Sequence, residues 1–180
     1  ENGIFVSPAL NVQYEGLREP FEVYPGVVVP PGNYESPMAF GLARSDNRKW
    51  ISGSISWQVG GSLSGSQASF APALTIRRGG TFTSSLRWTR SDIDLPEGAF
   101  VTNLGSLRLT YNFTTLINAQ TLIQYNDRTK RWSTNLRFNW QRTAATGLYL
   151  VYNDTEAFEG FGPVSRAFII KYSHMFDILR

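Results

Sequence analysis

Hydrophobic and polar residues alternate with a period of two through nearly the whole chain, and no stretch reads as an amphipathic helix. Successive residues of a strand point to opposite faces, so this pattern predicts strands with one apolar and one polar side. About ten strands are predicted, near residues 3–15, 34–44, 50–60, 68–78, 81–91, 101–113, 118–126, 131–142, 147–153 and 166–176. Many approach the roughly 9–11 residues that a tilted transmembrane strand needs.

One predicted face carries Ile4, Val6, Leu10, Val12 and Tyr14, then Tyr34, Met38, Phe40 and Leu42, then Ile51, Ile55, Trp57 and Val59. It continues with Phe70, Leu74, Ile76, Phe82, Leu86, Trp88, Leu107, Leu109, Tyr111 and Phe113. Ile123, Tyr125, Trp132, Leu136, Phe138, Trp140, Leu148, Leu150, Tyr152, Phe168, Ile170 and Tyr172 complete it. The opposite face is polar or small. It holds Asn11, Gln13, Glu15, Ser52, Ser54, Ser56, Gln58, Thr75, Arg77, Ser85 and Arg87. Further along it holds Arg108, Thr110, Asn112, Gln120, Gln124, Asn135, Arg137, Asn139, Lys171 and Ser173, with Ala39, Gly41, Ala71 and Ala73 keeping it slim.

The first face has about forty positions without a charge, where a 17% charged chain would place about seven by chance. An Arg or Lys at bilayer mid-depth costs roughly 2–4 kcal/mol, so lipid contact explains the exclusion. A soluble lipocalin-like barrel also alternates, with its apolar side inward. Three features favour the apolar side outward. It is too large and too aromatic to fill a small barrel. Trp57, Trp88, Tyr111, Tyr125, Trp132, Trp140, Tyr152 and Tyr172 fall toward strand ends, as an interfacial girdle does. The polar side carries Arg and Asn in mid-strand, which suits a solvated or hydrogen-bonded lumen. The prediction is therefore an all-β, transmembrane, antiparallel up-and-down β-barrel of about ten strands, or the C-terminal part of a larger one.

Connections are read as alternating in length. Asp46–Lys49, Arg78–Gly80, Thr114–Ile117 and Thr143–Gly147 are short; Gly16–Asn33, Gly60–Gln67, Ser91–Ala99 and Asp154–Ser165 are long, and Asp127–Lys130 is a short exception. Short periplasmic turns opposite longer extracellular loops is the outer-membrane plan, with both termini then periplasmic.

Composition narrows the reading further. The chain has 180 residues, enough for one domain over its whole length. Its mean hydropathy is −0.22, and no apolar run approaches the roughly 18–20 residues of a membrane helix. Cysteine is absent, so there is neither a disulfide framework nor a thiolate metal site. Net charge is +3 with a pI near 9.3, a balance too mild and too evenly spread for nucleic acid. The chain opens at Glu1 with no leader-like segment, and a fragment of a longer protein is expected.

Several segments are distinctive: Asp92-Ile93-Asp94-Leu95-Pro96 with Gly98-Ala99-Phe100, Ile123-Gln124-Tyr125-Asn126, and Ser133 through Trp140. Leu150-Val151-Tyr152-Asn153-Asp154 and Arg166-Ala167 to Lys171 join them. Together they resemble the C-terminal region of a bacterial outer-membrane family of unknown function. Its long members carry a carbohydrate-binding, family-nine-like domain before a barrel. Pro30-Pro31-Gly32-Asn33-Tyr34 is also similar to a motif there. The resemblance covers most of the chain and is clearest from about residue 92. It implies that the chain is the last third or so of a longer protein, and it carries over no catalytic residue. One departure is the ending, where Phe176 is followed by Asp177-Ile178-Leu179-Arg180 rather than closing on an aromatic residue.

Candidate chemistry is sparse. The predicted lumen charges are Arg77, Arg87, Arg108, Arg137 and Lys171 against Glu15 and Glu35, five minus two, or +3. Gln120, Gln124, Asn112, Asn135 and Asn139 line the same side. Fixed cations in a narrow lumen attract anions. The plainer reading is that they bond to neighbouring amides and carboxylates in a filled interior. His174, the only histidine, shares the apolar parity near the predicted periplasmic rim and is read as interfacial or structural rather than as the partner of a nucleophilic Ser, and one His with no Cys builds no usual transition-metal site. Asp92, Asp94 and Glu97 share a predicted loop without EF-hand spacing and are read as solvated rather than as a calcium site. The glycine–serine run 60–66 lacks the Lys and helix of a phosphate loop. Asn112-Phe113-Thr114 and Asn153-Asp154-Thr155 match a glycosylation pattern, for which no use is expected in a bacterial barrel.

The sequence thus points to a non-enzymatic, porin-like barrel of the Gram-negative outer membrane with no cofactor or metal. Its partners are the lipid bilayer and either missing strands of the full-length protein or another barrel chain, because an open edge cannot face lipid. Two functions stay open: a membrane anchor, scaffold or envelope-complex component, and a pore or transporter for small anionic or polar solutes such as saccharides.

Overall fold

The computed structural model describes residues 3–143, 146–157 and 163–174. The ending at Phe176 to Arg180 and the middle of the loop before Ser165 lie outside the described residues. Twelve strands make up the described secondary structure: β1 (Phe5–Leu17), β2 (Phe21–Tyr24), β3 (Val27–Val29), β4 (Gly32–Arg44), β5 (Ile51–Ser62) and β6 (Gly65–Arg78). They continue with β7 (Phe82–Leu95), β8 (Gly98–Asn112), β9 (Ile117–Asn126), β10 (Arg131–Thr143), β11 (Thr146–Ala157) and β12 (Pro163–Ser173). No described helix is long and apolar enough to cross a membrane.

Ten strands form one antiparallel up-and-down sheet in the order β1-β4-β5-β6-β7-β8-β9-β10-β11-β12, while β2 and β3 pair separately as a small hairpin. The fold class read from the alternation is therefore correct. The chain divides into two compact units, an N-terminal one of residues 1–74 with 87–104 and a C-terminal one of residues 75–86 with 105–180. We call the strand ends nearest residues 45–50, 79–81 and 113–116 the turn end, and the opposite ends the loop end.

Two expectations need correction. First, the long connections are mostly strand. Gly60–Gln67 shrinks to the two-residue turn Leu63–Ser64, and Ser91–Ala99 to Pro96–Glu97. Gly16–Asn33 holds the β2–β3 hairpin. Polar and glycine residues at the loop end still alternate and pair, so a reading based on apolar residues ends each strand too early. Gly65 makes one such close pairing possible: any Cβ there would run into the Asp94 carbonyl.

Second, β4 is inverted relative to the sequence reading. Its register pairs Leu10 with Ala39 and Val12 with Pro37, and β5 places Trp57 beside Gly41 and Ile55 beside Ala43. Directly opposed residues share a face. The apolar side of the N-terminal unit therefore takes the small odd-numbered residues of β4, and Tyr34, Met38, Phe40 and Leu42 lie on the polar side. The physical reason is size matching. A Cβ at Gly41 would stand 2.6 Å from the Trp57 ring, so large residues on β1 and β5 need a slim strand between them.

In the C-terminal unit every assignment of face agrees with the sequence reading. Tyr125 opposes Trp132, Leu136 opposes Tyr152, and Leu150 opposes Ile170. On the other side Gln120 opposes Arg137, Asn135 opposes Asn153, and Tyr149 opposes Lys171.

Among the described residues four hydrophobic side chains are buried: Val27, Val29, Ala71 and Leu95. Three of them form one cluster, with Val27 and Val29 from the hairpin and Leu95 from β7. Leu17, Tyr24, Tyr34, Ile93 and Phe100 pack around it, and the Tyr24 and Phe100 rings stack at 4.4 Å. Tyr34, on the polar side of β4, joins this cluster, so the hairpin folds over the polar side of the N-terminal unit at its loop end.

Candidate functional site

The apolar side is bare. Phe70, Leu74, Leu86, Trp88, Tyr111 and Leu136 lie on interior strands yet stay 41–52% exposed. Lateral neighbours cover their flanks, and among the described residues nothing covers their faces. The predicted girdle residues all lie on this side. In the C-terminal unit they form two clusters at opposite strand ends. Tyr125 and Trp132 pack at 4.8 Å at the loop end. Tyr111 meets Phe82 and Phe113 at the turn end, where Tyr172 stacks on His174. Trp57, Trp88 and Tyr152 sit mid-strand instead, because β5, β7 and β11 run further toward the loop end than expected.

At the loop end several charges fall on the apolar side, and most of them are engaged. The Tyr14 hydroxyl donates to Glu35 at 3.2 Å, which removes Glu35 from the polar side where it was expected. Arg90 pairs with Asp92 at 3.0 Å. Arg166 pairs with Asp154 at 3.0 Å and Glu156 at 3.5 Å, and the Tyr152 hydroxyl donates to Asp154 at 3.0 Å. Asp92 is thus tied to an arginine, and Glu97 accepts from the Ser64 hydroxyl at 2.6 Å across two turns. No cluster of metal-binding side chains forms among the described residues.

At the turn end, outside the strands, Arg48 donates through its backbone amide and guanidinium to Asp46 at 2.9–3.1 Å. These bonds hold the Asp46 carboxyl down at about 2. His174 faces the Thr146 hydroxyl at 3.2 Å.

The polar side carries the remaining candidates. In the N-terminal unit it holds a hollow of about 600 Å³ lined by Phe5, Phe40, Ser56, Gln58, Ser69 and Arg87 among others. Gln58 reaches Met38 Sδ at 3.3 Å, Ser69 and Ser91 hydroxyls meet at 2.9 Å, and Arg44 lies 4.8 Å over the Phe5 ring. Glu15 lies on this side, opposite Tyr34.

In the C-terminal unit, Thr75 and Ser85 hydroxyls meet at 3.1 Å and fix which residues of β6 and β7 share the polar side. Arg77, Arg108, Gln120, Gln124, Asn135, Arg137, Asn139 and Lys171 all lie there, as expected. Asn112 also does, but its amide is spent on the Gly80 carbonyl at 2.6 Å and serves the turn. Arg137 Nε donates to Asn135 Oδ1 at 2.8 Å, and Asn135 in turn donates to Asn153 Oδ1. Asn139 Oδ1 is buried without a donor. Arg131, opposite Asn126, and Asn153, opposite Asn135, also lie there; both fall inside predicted strands, at their ends, but were not assigned to the polar face. Among the described strand residues of this unit no Asp or Glu shares this polar side: the acids of β11 lie at 154 and 156, on the apolar parity, and Asp127 lies in the β9–β10 turn.

No family model, curated protein or solved structure matches the chain.

Proposed function

We propose that this chain is an outer-membrane β-barrel, or the C-terminal part of one, serving as a membrane anchor or scaffold for an envelope assembly. The observation that carries the reading is the uncovered apolar side. Ile55, Val59, Phe70, Leu86, Trp88 and Leu136 stay 40–52% exposed in the interior of a ten-stranded sheet. An apolar surface of that kind is not what a monomeric protein leaves in water. Acyl chains are the solvent that suits it. The spacing of the aromatic clusters fits. Trp132 and Trp140 are eight residues apart on β10. At about 3.4 Å per residue and a tilt near 40°, that is about 21 Å of height, close to the roughly 25 Å apolar band of such barrels. The charges near the loop-end border of this band are paired: Arg90 with Asp92, and Arg166 with Asp154, opposite Thr134, and with Glu156, opposite Trp132.

β1 and β12 end the strand order and run antiparallel to each other. They carry the barest apolar side chains of any strand, with Leu10 at 85% and Phe168 at 62%. Unpaired backbone in hydrocarbon costs several kcal/mol per group. Both edges are therefore paired in the membrane, with each other, with further strands of a longer protein, or with another chain. The resemblance of residues 92–171 to the C-terminal region of an outer-membrane family supports the same reading and carries over no activity. A scaffold is also what the β2–β3 hairpin favours, since it fills part of the polar side. A second reading, a path for small anionic or polar solutes, is favoured by the acid-free polar side of the C-terminal unit.

The test is depth-resolved fluorescence quenching of the folded protein in vesicles. Trp57 and Trp88 are expected to be quenched by lipids brominated in mid-chain and shielded from iodide. A protein that stays soluble without detergent, with tryptophans untouched by brominated lipid, refutes the proposal.

A further inference from the structure

We infer that Arg108, Arg137 and Lys171 form a diagonal ladder that binds small oxyanions, phosphate- or carboxylate-bearing, on the polar side of the C-terminal unit. The registers place them. The Phe113 amide donates to the Ile117 carbonyl, which sets β9 on β8 and brings Arg108 opposite Leu122. Leu122 is opposite Asn135, and Arg137 lies two residues further toward the turn end. Arg137 is opposite Val151, which is opposite Ile169, and Lys171 again lies two residues further toward the turn end. Each step is thus the same: two strands across and two residues down. At about 4.8 Å per strand and 3.3 Å per residue, a step covers about 12 Å, which two long cationic side chains can span from either end.

Three further observations point to an anionic ligand. All three side chains are exposed rather than packed away. No carboxylate on the described strands of the C-terminal unit shares their side. Arg137 is held in place by its Nε bond to Asn135, which is itself tied to Asn153, and this leaves both terminal NH2 groups of the guanidinium for a ligand. That fork is the geometry that grips an oxyanion through two parallel bonds. On β9 beside them stand Gln120, opposite Arg137, and Gln124, opposite Ser133, whose amides donate without adding charge. Cations spaced along a face, each binding weakly, let an anion pass from one to the next.

The inference rests on the reading of the polar side as the barrel interior, and the experiment separates the two. The full chain, folded in detergent micelles, is titrated with inorganic phosphate while the Arg Nε–H resonances are followed by NMR. Saturable binding that shifts Arg137 Nε–H is expected. Arg137→Gln is expected to weaken it about tenfold or more, the scale of a lost charge-assisted pair. Arg108→Gln and Lys171→Gln should each weaken it several-fold. Arg128→Gln, in the β9–β10 turn, should leave it unchanged. A protein that keeps its folded, detergent-dependent state but shows no saturable phosphate response overturns the ladder and spares the barrel. Equal weakening by Arg128→Gln and Arg137→Gln overturns it too, since only net charge would then matter.

Discussion

The β2–β3 hairpin depends on a very small core, and Val29 is its centre. Its side chain is fully buried, at 0% exposure, among Val27, Leu95 and the aromatic residues around them. Val29→Ala removes two methyl groups. At about 0.8 kcal/mol each, transfer alone accounts for about 1.6 kcal/mol. The space left, about 50 Å³, adds about 1 kcal/mol at 24 cal/mol per Å³. Strands of four and three residues do not hold themselves together in isolation, so this loss falls on the docking of the hairpin rather than on the ten-stranded sheet. A loss of 2–3 kcal/mol raises the open population roughly 30- to 150-fold. Hydrogen exchange of the folded protein in micelles reads this directly. The amides of residues 21–24 and 27–29 are expected to exchange faster by that factor, while those of β9 to β11 keep their rates. Leu95→Ala should have the same signature, because it removes the wall on which the hairpin rests. Uniform acceleration across the sheet would refute the local assignment and make the cluster part of the global core. No change at all would mean that the β1 and β4 ends hold the hairpin without it.

Two further perturbations address the sidedness of the sheet and the turn end. Leu136→Arg, on the apolar side of β10, is expected to cost about 2–4 kcal/mol when folding into vesicles is followed against denaturant, whereas Arg137→Leu, one residue on, should cost far less; equal penalties would sink the lipid-facing assignment. Because Arg48 holds the Asp46 carboxyl at about 2, the contribution of this pair is complete above the ordinary carboxylate range and is lost as pH falls through about 2. Arg48→Ala should return the Asp46 midpoint toward about 4, measured by carbon-13 carboxyl titration.

The fold class was legible because the alternation is local information: period two needs no knowledge of which strand pairs with which. Strand ends were less legible. At the loop end the residues are glycine, serine and acids, and their pairing is dictated by the neighbouring hairpin, as with Gly65 against Asp94 and Ser64 against Glu97. The inversion of β4 has the same origin. Where a two-residue turn joins two strands, as at Leu63–Ser64, the turn fixes register and so transmits the face from one strand to the next. Fourteen residues, 18–31, separate β1 from β4, and they fold into a hairpin of their own. No local rule passes through them, so the larger residues of β4 were assigned to the apolar side by their hydrophobicity alone. What decides the matter is Trp57, whose ring occupies the space over Gly41. The presence of Ala39, Gly41 and Ala43 at alternate positions beside two bulky strands was the available signal.

The site illustrates the difference between a face and a place on it. Parity assigned Arg77, Arg87, Arg108, Arg137 and Lys171 to one side correctly, and it misplaced Glu35 only because β4 was inverted. That single move matters. Without Glu35 the expected balance of five cations against two acids becomes five against one, and the remaining acid, Glu15, belongs to the N-terminal unit. Parity could not reveal that Arg108, Arg137 and Lys171 share a diagonal, because that depends on four successive registers, any of which could slip by two residues and keep every side chain on its own face. A slip of two residues at β9–β10 alone would place Arg137 level with Arg108 or a further step down, and the even spacing would vanish. The ladder is therefore a property of strand pairing, and swapping the residues at 135 and 137 tests it without altering composition or charge. With Arg at 135 and Asn at 137, the cation on β10 moves level with Arg108 and about 13 Å along the strand separates its row from that of Lys171. Phosphate affinity should fall as far as it does in Arg137→Gln. Retained affinity in the swapped protein would mean that a diffuse positive side suffices and that the spacing has no role.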